Sequence, residues 1–258
     1  MPLRLALAVV AAALVLTPAS AAAPGSSIIR LVDVGSGAAE AWVFLPEEPP
    51  DCVLTFVHDD GDLSPARYTS WLNYTVLRHH CAIVFPRYQV AAHTTNARNL
   101  AGLRAGVTAG LSFVRKTSFG LYHDRALTVP AITAGFGSGG ALALTLSARA
   151  HEWGFPAPVA VDTVFPIVSA AAPLPSQSLP PHARVLVQVG DHDRSAGPAS
   201  ATAVRRYLSS HPAGLTRIQV VHSTASLAAI HSAPLRDDTA AENAFWGPLD
   251  VLIDGVTP

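Results

Sequence analysis

Residues 131–141 read Ala-Ile-Thr-Ala-Gly-Phe-Gly-Ser-Gly-Gly-Ala, and this stretch decides the fold. Its first four residues are apolar or β-branched and predict a buried strand, and the small and apolar residues that follow the stretch predict a helix. The turn between them is dense in glycine, so the strand and the helix can approach each other closely. A strand that turns sharply into a helix is typical of a parallel α/β sheet.

Short apolar runs alternate with longer helical patterns on both sides of this turn. Ser64 and Pro65 mark the start of one helix, with Ser64 as its expected cap. A second helix shows leucine and valine at helical spacing between Leu100 and Val114. The apolar runs predict eight strands, at residues 28–33, 41–45, 52–57, 81–85, 127–134, 159–164, 184–189 and 216–221. The alternation predicts an α/β fold with a mainly parallel eight-stranded sheet and helices on both faces.

The composition is that of one globular domain. The chain has 258 residues, half of them hydrophobic, which is enough to bury a single large core. A net charge of −1 argues against a nucleic-acid partner, because there is no basic excess to neutralise phosphates. No repeat or long linker divides the chain, so we expect residues 24–258 to form one domain.

The first 23 residues have the pattern of a signal peptide. Arg4 supplies a positive start, residues 5–16 are an unbroken apolar run, and residues 19–21 read Ala-Ser-Ala at the expected cleavage site. A retained membrane anchor is the alternative, but this run is shorter than the roughly 20 apolar residues that span a bilayer. We therefore expect a secreted or extracytoplasmic protein with no stable membrane span after cleavage.

The two cysteines each open a predicted strand. Cys52 and Cys81 would enter an oxidising compartment after export, where disulfides persist. If the two strands are parallel neighbours in register, the side chains are close enough to form a disulfide. A pair of buried free thiols is the alternative.

The glycine-dense turn resembles the nucleophile elbow of the α/β-hydrolase superfamily, in its bacterial esterase and lipase branch. The family pattern Gly-x-Ser-x-Gly-Gly aligns with residues 135–140, which places Gly137 where the nucleophilic serine is expected. An alternative register makes Ser138 the nucleophile and puts the bulky Phe136 at a close-packed position. The first register is favoured because Gly135 and Gly139 then flank the nucleophile position.

The same resemblance implies a catalytic acid and a catalytic base. The strand at residues 184–189 leads into Gly-Asp-His-Asp, and Asp193 corresponds to the triad carboxylate. His231 follows the last strand, as the family's histidine does, and His222 is the less favoured substitute. In a working triad the histidine takes the nucleophile's proton and the carboxylate orients its ring.

The loop after the third strand departs from the family pattern. His58 and Gly61 resemble parts of the family's His-Gly-Gly oxyanion loop, but Asp59 and Asp60 stand where glycines are usual. A carboxylate about 4 Å from a developing oxyanion raises the barrier by roughly 4 kcal/mol at an effective dielectric of 20. Either these side chains turn away or the site stabilises oxyanions poorly. The alternative, that this acidic loop with Asp62 holds a divalent cation, is less favoured than a solvated turn.

Three functional hypotheses follow from the resemblance, and none requires a cofactor. The first is an active ester hydrolase in which Ser138 attacks, His231 moves the proton and Asp193 orients the ring. The second is a non-catalytic protein that binds a small ester or acyl ligand, or a protein partner. The third is a slow hydrolase in which His231 activates water beside Gly137. Residues 171–181 are rich in proline and serine and are expected to form a loop, either a lid over the site or a plain connection.

Overall fold

The structure is a computed structural model that describes residues 29–121 and 129–257. The predicted signal peptide, residues 1–23, lies outside these residues. So do the first residue of the run at 28–33 and the first two of the run at 127–134. Residues 29, 129 and 130 are described and are not part of a strand, so these two strands begin later than predicted.

The described residues form one eight-stranded sheet with the order β1-β2-β4-β3-β5-β6-β7-β8. Strand β2 is antiparallel to both of its neighbours, and all the other pairings are parallel. The predicted mainly parallel sheet is therefore confirmed, with a mixed edge at β1 and β2. The strands are β1 (Arg30–Val34), β2 (Ala41–Leu45), β3 (Cys52–Val57), β4 (Cys81–Pro86), β5 (Ala131–Phe136), β6 (Ala160–Val164), β7 (Arg184–Gly190) and β8 (Thr216–Val221).

Helices cover both faces of the sheet, as predicted. The described helices are α1 (Thr69–His79), α2 (Asn96–Leu121), α3 (Ser138–Trp153), α4 (Gly197–Tyr207) and α5 (Gly247–Asp254). A short helix (Thr239–Ala241) and a π-helical turn (Glu242–Trp246) lead into α5. Short 3₁₀ turns lie at Gly37–Ala39, Pro65–Tyr68, Leu208–Ser210, Ala213–Leu215 and Ala233–Leu235. None of the described helices has the length and apolar character needed to cross a bilayer.

Two layers of core lie between the helices and the sheet. On one face, α1 and α5 pack together and bury Trp71, Leu72 and Ile253 against β3 to β6. On the other face, α2 and α3 bury Leu103 and Leu142 against the sheet. The central strands β3 and β4 are buried along their whole length. The strands of a sheet that is covered on both faces have continuous apolar sequences, which is why β3 and β4 were predictable.

The start of α1 differs from the prediction. Pro65 opens a 3₁₀ turn and the α-helix begins only at Thr69, and the side chain of Ser64 makes no capping hydrogen bond. The turn places Tyr68 in the core below the carboxyl end of β3, where it contacts the site described below.

The predicted disulfide is present. Strands β3 and β4 are parallel, and Cys52 is the register partner of Cys81. The two Cα atoms are 4.5 Å apart, and the side chains are joined in a disulfide. Both cysteines are fully buried.

Residues 171–181 form an irregular segment, as expected. Asn99 of α2 donates a hydrogen bond to the carbonyl of Ala171, and Thr145 of α3 donates one to Pro173. Ala172 and Leu179 are buried against the helices. This segment therefore lies along α2 and α3, and none of it lines the cleft described below.

Candidate active site

The carboxyl ends of the parallel strands form one edge of the sheet, and the predicted site residues meet there. Strand β5 ends at Phe136, helix α3 begins at Ser138, and Gly137 alone makes the turn with φ 59° and ψ −128°. This positive φ strains any residue that has a Cβ atom. The sharp bend therefore falls on Gly137, and its correspondence to the family's nucleophile position stays a prediction.

The flanking glycines are required by the close approach of three backbones. A Cβ atom on Gly135 would overlap the carbonyl of Gly139 in α3. A Cβ atom on Gly139 would overlap the carbonyls of Val57 and His58 at the end of β3. The glycine pattern is thus explained by strand and helix packing, independently of any catalytic role.

The carboxylate of Asp59 occupies the space beside Gly137. A Cβ atom built on Gly137 would overlap the Asp59 carboxyl group. Asp59 Oδ1 accepts hydrogen bonds from the backbone N–H groups of Ser138 (2.7 Å) and Asp60 (2.8 Å). Its Oδ2 lies 3.0 Å from His231 Nε2. A carboxylate from the loop after β3 therefore reaches the imidazole that a serine at position 137 would reach.

The structure also brings Asp193 and His231 together. Asp193 Oδ2 lies 3.0 Å from His231 Nδ1, and Asp193 Oδ1 accepts hydrogen bonds from the N–H groups of Ser195 (2.8 Å) and Ala196 (3.3 Å). The Asp193 side chain is only 2% exposed. The His231 ring stacks on Phe136 with 4.7 Å between the ring centroids. The imidazole is thus held between two carboxylates and an aromatic ring, and its catalytic role stays a prediction.

Ser138 contacts Asp59 through its backbone, and its role as nucleophile stays a prediction. It is the first residue of α3 and is buried, and its N–H group is the one that contacts Asp59. Among the described residues, the hydroxyl of Ser138 forms no hydrogen bond with His231, whose Nε2 faces Asp59 instead.

The charges of His231 and Asp59 follow from their contacts. Burial lowers the pKa of His231, but hydrogen bonds to Asp193 and Asp59 outweigh it and raise the pKa to about 9. Burial tends to raise the pKa of Asp59, but hydrogen bonds from His231 and two backbone N–H groups bring it below its usual value. At neutral pH the site therefore holds an imidazolium between two carboxylates.

The remainder of the acidic loop is held by neighbouring polar side chains. The hydroxyl of Tyr68 accepts a hydrogen bond from the N–H of Asp59 (3.0 Å) and donates one to Asp62 (2.6 Å). His58 is fully buried, which lowers its pKa, and its ring nitrogens lie 2.6 Å from the carbonyl of Asp59 and 2.8 Å from that of Arg87.

Asp60 turns away from the imidazole. Its carboxylate accepts a hydrogen bond from the side-chain amide of Gln89 (2.8 Å) and contacts His93, while the N–H of Gly61 donates to Oε1 of Gln89 (2.8 Å). Of Asp59 and Asp60, only Asp59 contacts the imidazole of His231. The described residues contain no group of three or more histidine, cysteine or acidic side chains arranged to hold a metal ion.

A solvent-open cleft of about 440 Å³ lies above these groups. Asp59 and His231 form part of its lining, and Phe136 and Ile230 contribute apolar surface. Arg194 contributes a positively charged side chain. The lining also includes Arg67, His192, Ser195 and Ser232.

Sequence reasoning did not identify this role of Asp59. The loop was recognised as a departure from the family pattern, but not as the partner of the imidazole. The available signal was a pair of facts taken together: a missing side chain at Gly137 and an extra carboxylate in a loop from the neighbouring strand. Phe136, Arg194 and Ile230 were also missed, because nothing in their local sequence marks a cleft wall.

These features define a fold class. The sharp turn after β5, the carboxylate after β7 and the histidine after β8 lie together at the carboxyl edge of a mainly parallel sheet, which is the arrangement of the α/β-hydrolase fold. The chain has this fold.

Comparison with solved structures agrees. Similar structures include carboxyl esterase 2 from the mycorrhizal fungus Tuber melanosporum (TM-score 0.61, 13% identity, covering 93% of this chain and 90% of that one). A thermostable esterase from Pseudomonas putida is also similar (TM-score 0.63, 17% identity, 91% and 85%). A third is an alpha/beta hydrolase enzyme from a Medee basin deep-sea metagenome library (TM-score 0.59, 15% identity, 88% and 98%). No family model and no curated protein sequence matches the chain. At sequence identities of 13–17%, the structural similarity shows only that these proteins share a fold.

The raised pKa of His231 predicts a specific pH dependence of stability. Its folded pKa of about 9 lies above the ordinary value of 6.5, so its contribution is complete below pH 6.5 and is lost as the pH rises through 9. The contribution is on the order of 3 kcal/mol. Urea denaturation of the wild type and of His231→Gln should give a difference in unfolding free energy that shrinks over this range. A difference that is constant with pH would contradict the imidazolium between two carboxylates.

Proposed function

We propose that the chain is an exported α/β-hydrolase-fold protein that resembles a carboxylic-ester hydrolase but has lost serine-nucleophile catalysis. Its cleft binds a small ester or acyl ligand without the covalent step of a serine esterase. The similar solved structures are named as esterases, which supports this ligand class. The apolar surface of Phe136 and Ile230 in the cleft is suited to an acyl or alkyl group.

The position of Asp59 carries this proposal. A serine hydrolase needs a hydroxyl beside Nε2 of an imidazole that can accept its proton. Here Nε2 of His231 faces a carboxylate, and the imidazole is already protonated at neutral pH. The N–H group of Ser138, placed to stabilise an oxyanion, is occupied by Asp59 Oδ1 at 2.7 Å. The nucleophile position, the base and the oxyanion donor are thus all engaged by the Asp59 side chain.

The two other hypotheses are less well supported by the same geometry. Attack by Ser138 needs its hydroxyl at the imidazole, and the contact there is made by Asp59. Water activated by His231 beside Gly137 needs empty space at that position, and the Asp59 carboxyl group fills it.

Covalent labelling tests the loss of serine chemistry. Removing the nucleophile of such a unit lowers turnover on the order of a millionfold. We therefore expect a fluorophosphonate probe to leave the wild-type protein unlabelled, with Ser138→Ala giving the same result. Ethyl butyrate should be recovered unhydrolysed, while saturation-transfer NMR detects its binding. Labelling of the wild type that disappears in Ser138→Ala would refute the proposal.

A further inference from the structure

The two oxygens of the Asp59 carboxylate have different environments. Oδ1 accepts two backbone hydrogen bonds, from Ser138 and Asp60, which uses both of its lone pairs. Oδ2 has one partner, His231 Nε2, and so keeps one lone pair. The Asp59 side chain is 17% exposed and lines the cleft. One ionised oxygen is thus available to a molecule bound in the cleft.

We infer that Asp59 is a nucleophile toward compounds that carry a leaving group on a saturated carbon, and that the cleft hydrolyses them through an ester on Asp59. A carboxylate that is already ionised needs no base to activate it, unlike a serine hydroxyl. This inference shares with the proposed function only the absence of a reactive serine. It does not depend on the binding of an ester ligand.

The chemistry of a carboxylate selects this class of substrate. Attack on an ester carbonyl would form an anhydride and expel an alkoxide, which is a far stronger base than the carboxylate. Attack on a saturated carbon that bears a halide forms an ordinary ester and expels a weak base. The lone pair on Oδ2 of Asp59 forms the new carbon–oxygen bond, and the carbon–halogen bond breaks with its electron pair on the halide. Arg194, which lines the same cleft, supplies a positive charge that favours the departure of an anion.

The groups required to hydrolyse the resulting ester are already in place. When Oδ2 carries the alkyl group, Oδ1 becomes the ester carbonyl oxygen and keeps its two N–H donors at 2.7 and 2.8 Å. These distances match those of an oxyanion hole. The N–H groups of Ser138 and Asp60 would therefore stabilise the tetrahedral intermediate that forms when water attacks Cγ of Asp59.

His231 is the base for this second step. Alkylation removes the charge of Asp59, one of the two carboxylates that raise the pKa of His231, so the imidazole releases its proton to solvent. It then takes a proton from water, whose oxygen bonds to Cγ. Cleavage of the Cγ–Oδ2 bond releases the alcohol, which receives that proton from His231. The new carboxylic acid ionises and gives its proton to His231, which restores the resting imidazolium. The sum is alkyl halide and water giving alcohol, halide and one proton.

Asp193 orients the imidazole throughout, since its Oδ2 lies 3.0 Å from Nδ1. The alcohol leaves with the original Oδ2, so each turnover places one oxygen from water in Asp59.

The test uses 1-bromobutane as the probe and the full chain. The wild type should release bromide faster than buffer alone. In ¹⁸O-labelled water, the peptide that contains Asp59 should gain one ¹⁸O. In His231→Gln the first step should proceed without the second, giving a single equivalent of bromide and a butyl ester on Asp59, detected by peptide mass spectrometry.

The controls separate reaction at Asp59 from general alkylation. Asp59→Asn and Asp59→Ala, each checked for folding by circular dichroism, should release bromide at the buffer rate. Asp51→Asn removes an exposed carboxylate before β3 and should behave as the wild type. Bromide release that persists in both Asp59 variants, or no release by the wild type and no ester on Asp59 in His231→Gln, would overturn the inference. Failure of the proposed function would appear separately, as fluorophosphonate on Ser138.

Discussion

Gly137→Ser alone is expected to leave the protein without esterase activity, whereas Gly137→Ser combined with Asp59→Gly should produce it. A serine side chain at position 137 would overlap the Asp59 carboxyl group, and the oxyanion donor of Ser138 would remain occupied. Removing the carboxylate frees this donor, and it lowers the pKa of His231 so that the imidazole can act as a base. Relief of a repulsion of about 4 kcal/mol corresponds to roughly a thousandfold in rate.

Hydrolysis of p-nitrophenyl acetate measures this effect. The single variant Asp59→Gly is the matched control, since it vacates the site but supplies no nucleophile. The double variant should exceed both single variants by on the order of a thousandfold. Serine at a positive φ costs about 1–3 kcal/mol of stability, so folding is checked by thermal denaturation. Equal activity in Gly137→Ser and in the double variant would show that Asp59 moves aside, and would contradict the blocked site.

Gly139→Ala should destabilise the fold by about 3–5 kcal/mol. The added methyl group would overlap the carbonyl oxygens of Val57 and His58, which are backbone atoms at the end of a central strand. Backbone there cannot move without separating α3 from β3, and the same segment leads into Asp59.

Gly214→Ala is the matched control for this substitution. Gly214 lies in a 3₁₀ turn, and a Cβ atom there meets no atom within 4 Å. Its substitution should change the unfolding free energy by less than about 1 kcal/mol. Urea denaturation at one pH compares the two variants with the wild type. A loss in Gly139→Ala no larger than that in Gly214→Ala would show that the close approach of strand and helix is not required.

The central strands were predictable because a strand that is buried on both faces has apolar residues at nearly every position of its sequence. The apolar runs at residues 52–57 and 81–85 fall on β3 and β4, which are buried along their whole length. The start of α1 was less predictable, because Ser64 and Pro65 are compatible with a capped α-helix or with the 3₁₀ turn that is present.

The sequence also indicated the order of the candidate acid and the candidate base along the chain. Asp193 follows β7 and His231 follows β8, and parallel strands bring their carboxyl ends to one edge. The distance of 3.0 Å between their side chains depends on two loop conformations. It could not be obtained from spacing alone.

The sequence by itself determined an α/β sheet, a bend at Gly137 and the absence of a side chain at that bend, because burial, periodicity and glycine conformation act over neighbouring residues. Only the tertiary structure decided what fills the vacant position. Asp59 and His231 are 172 residues apart, and they meet because the loops after β3 and β8 both reach the carboxyl end of β5. A side chain's neighbours across a sheet are set by strand order and register, and these are properties of the whole chain.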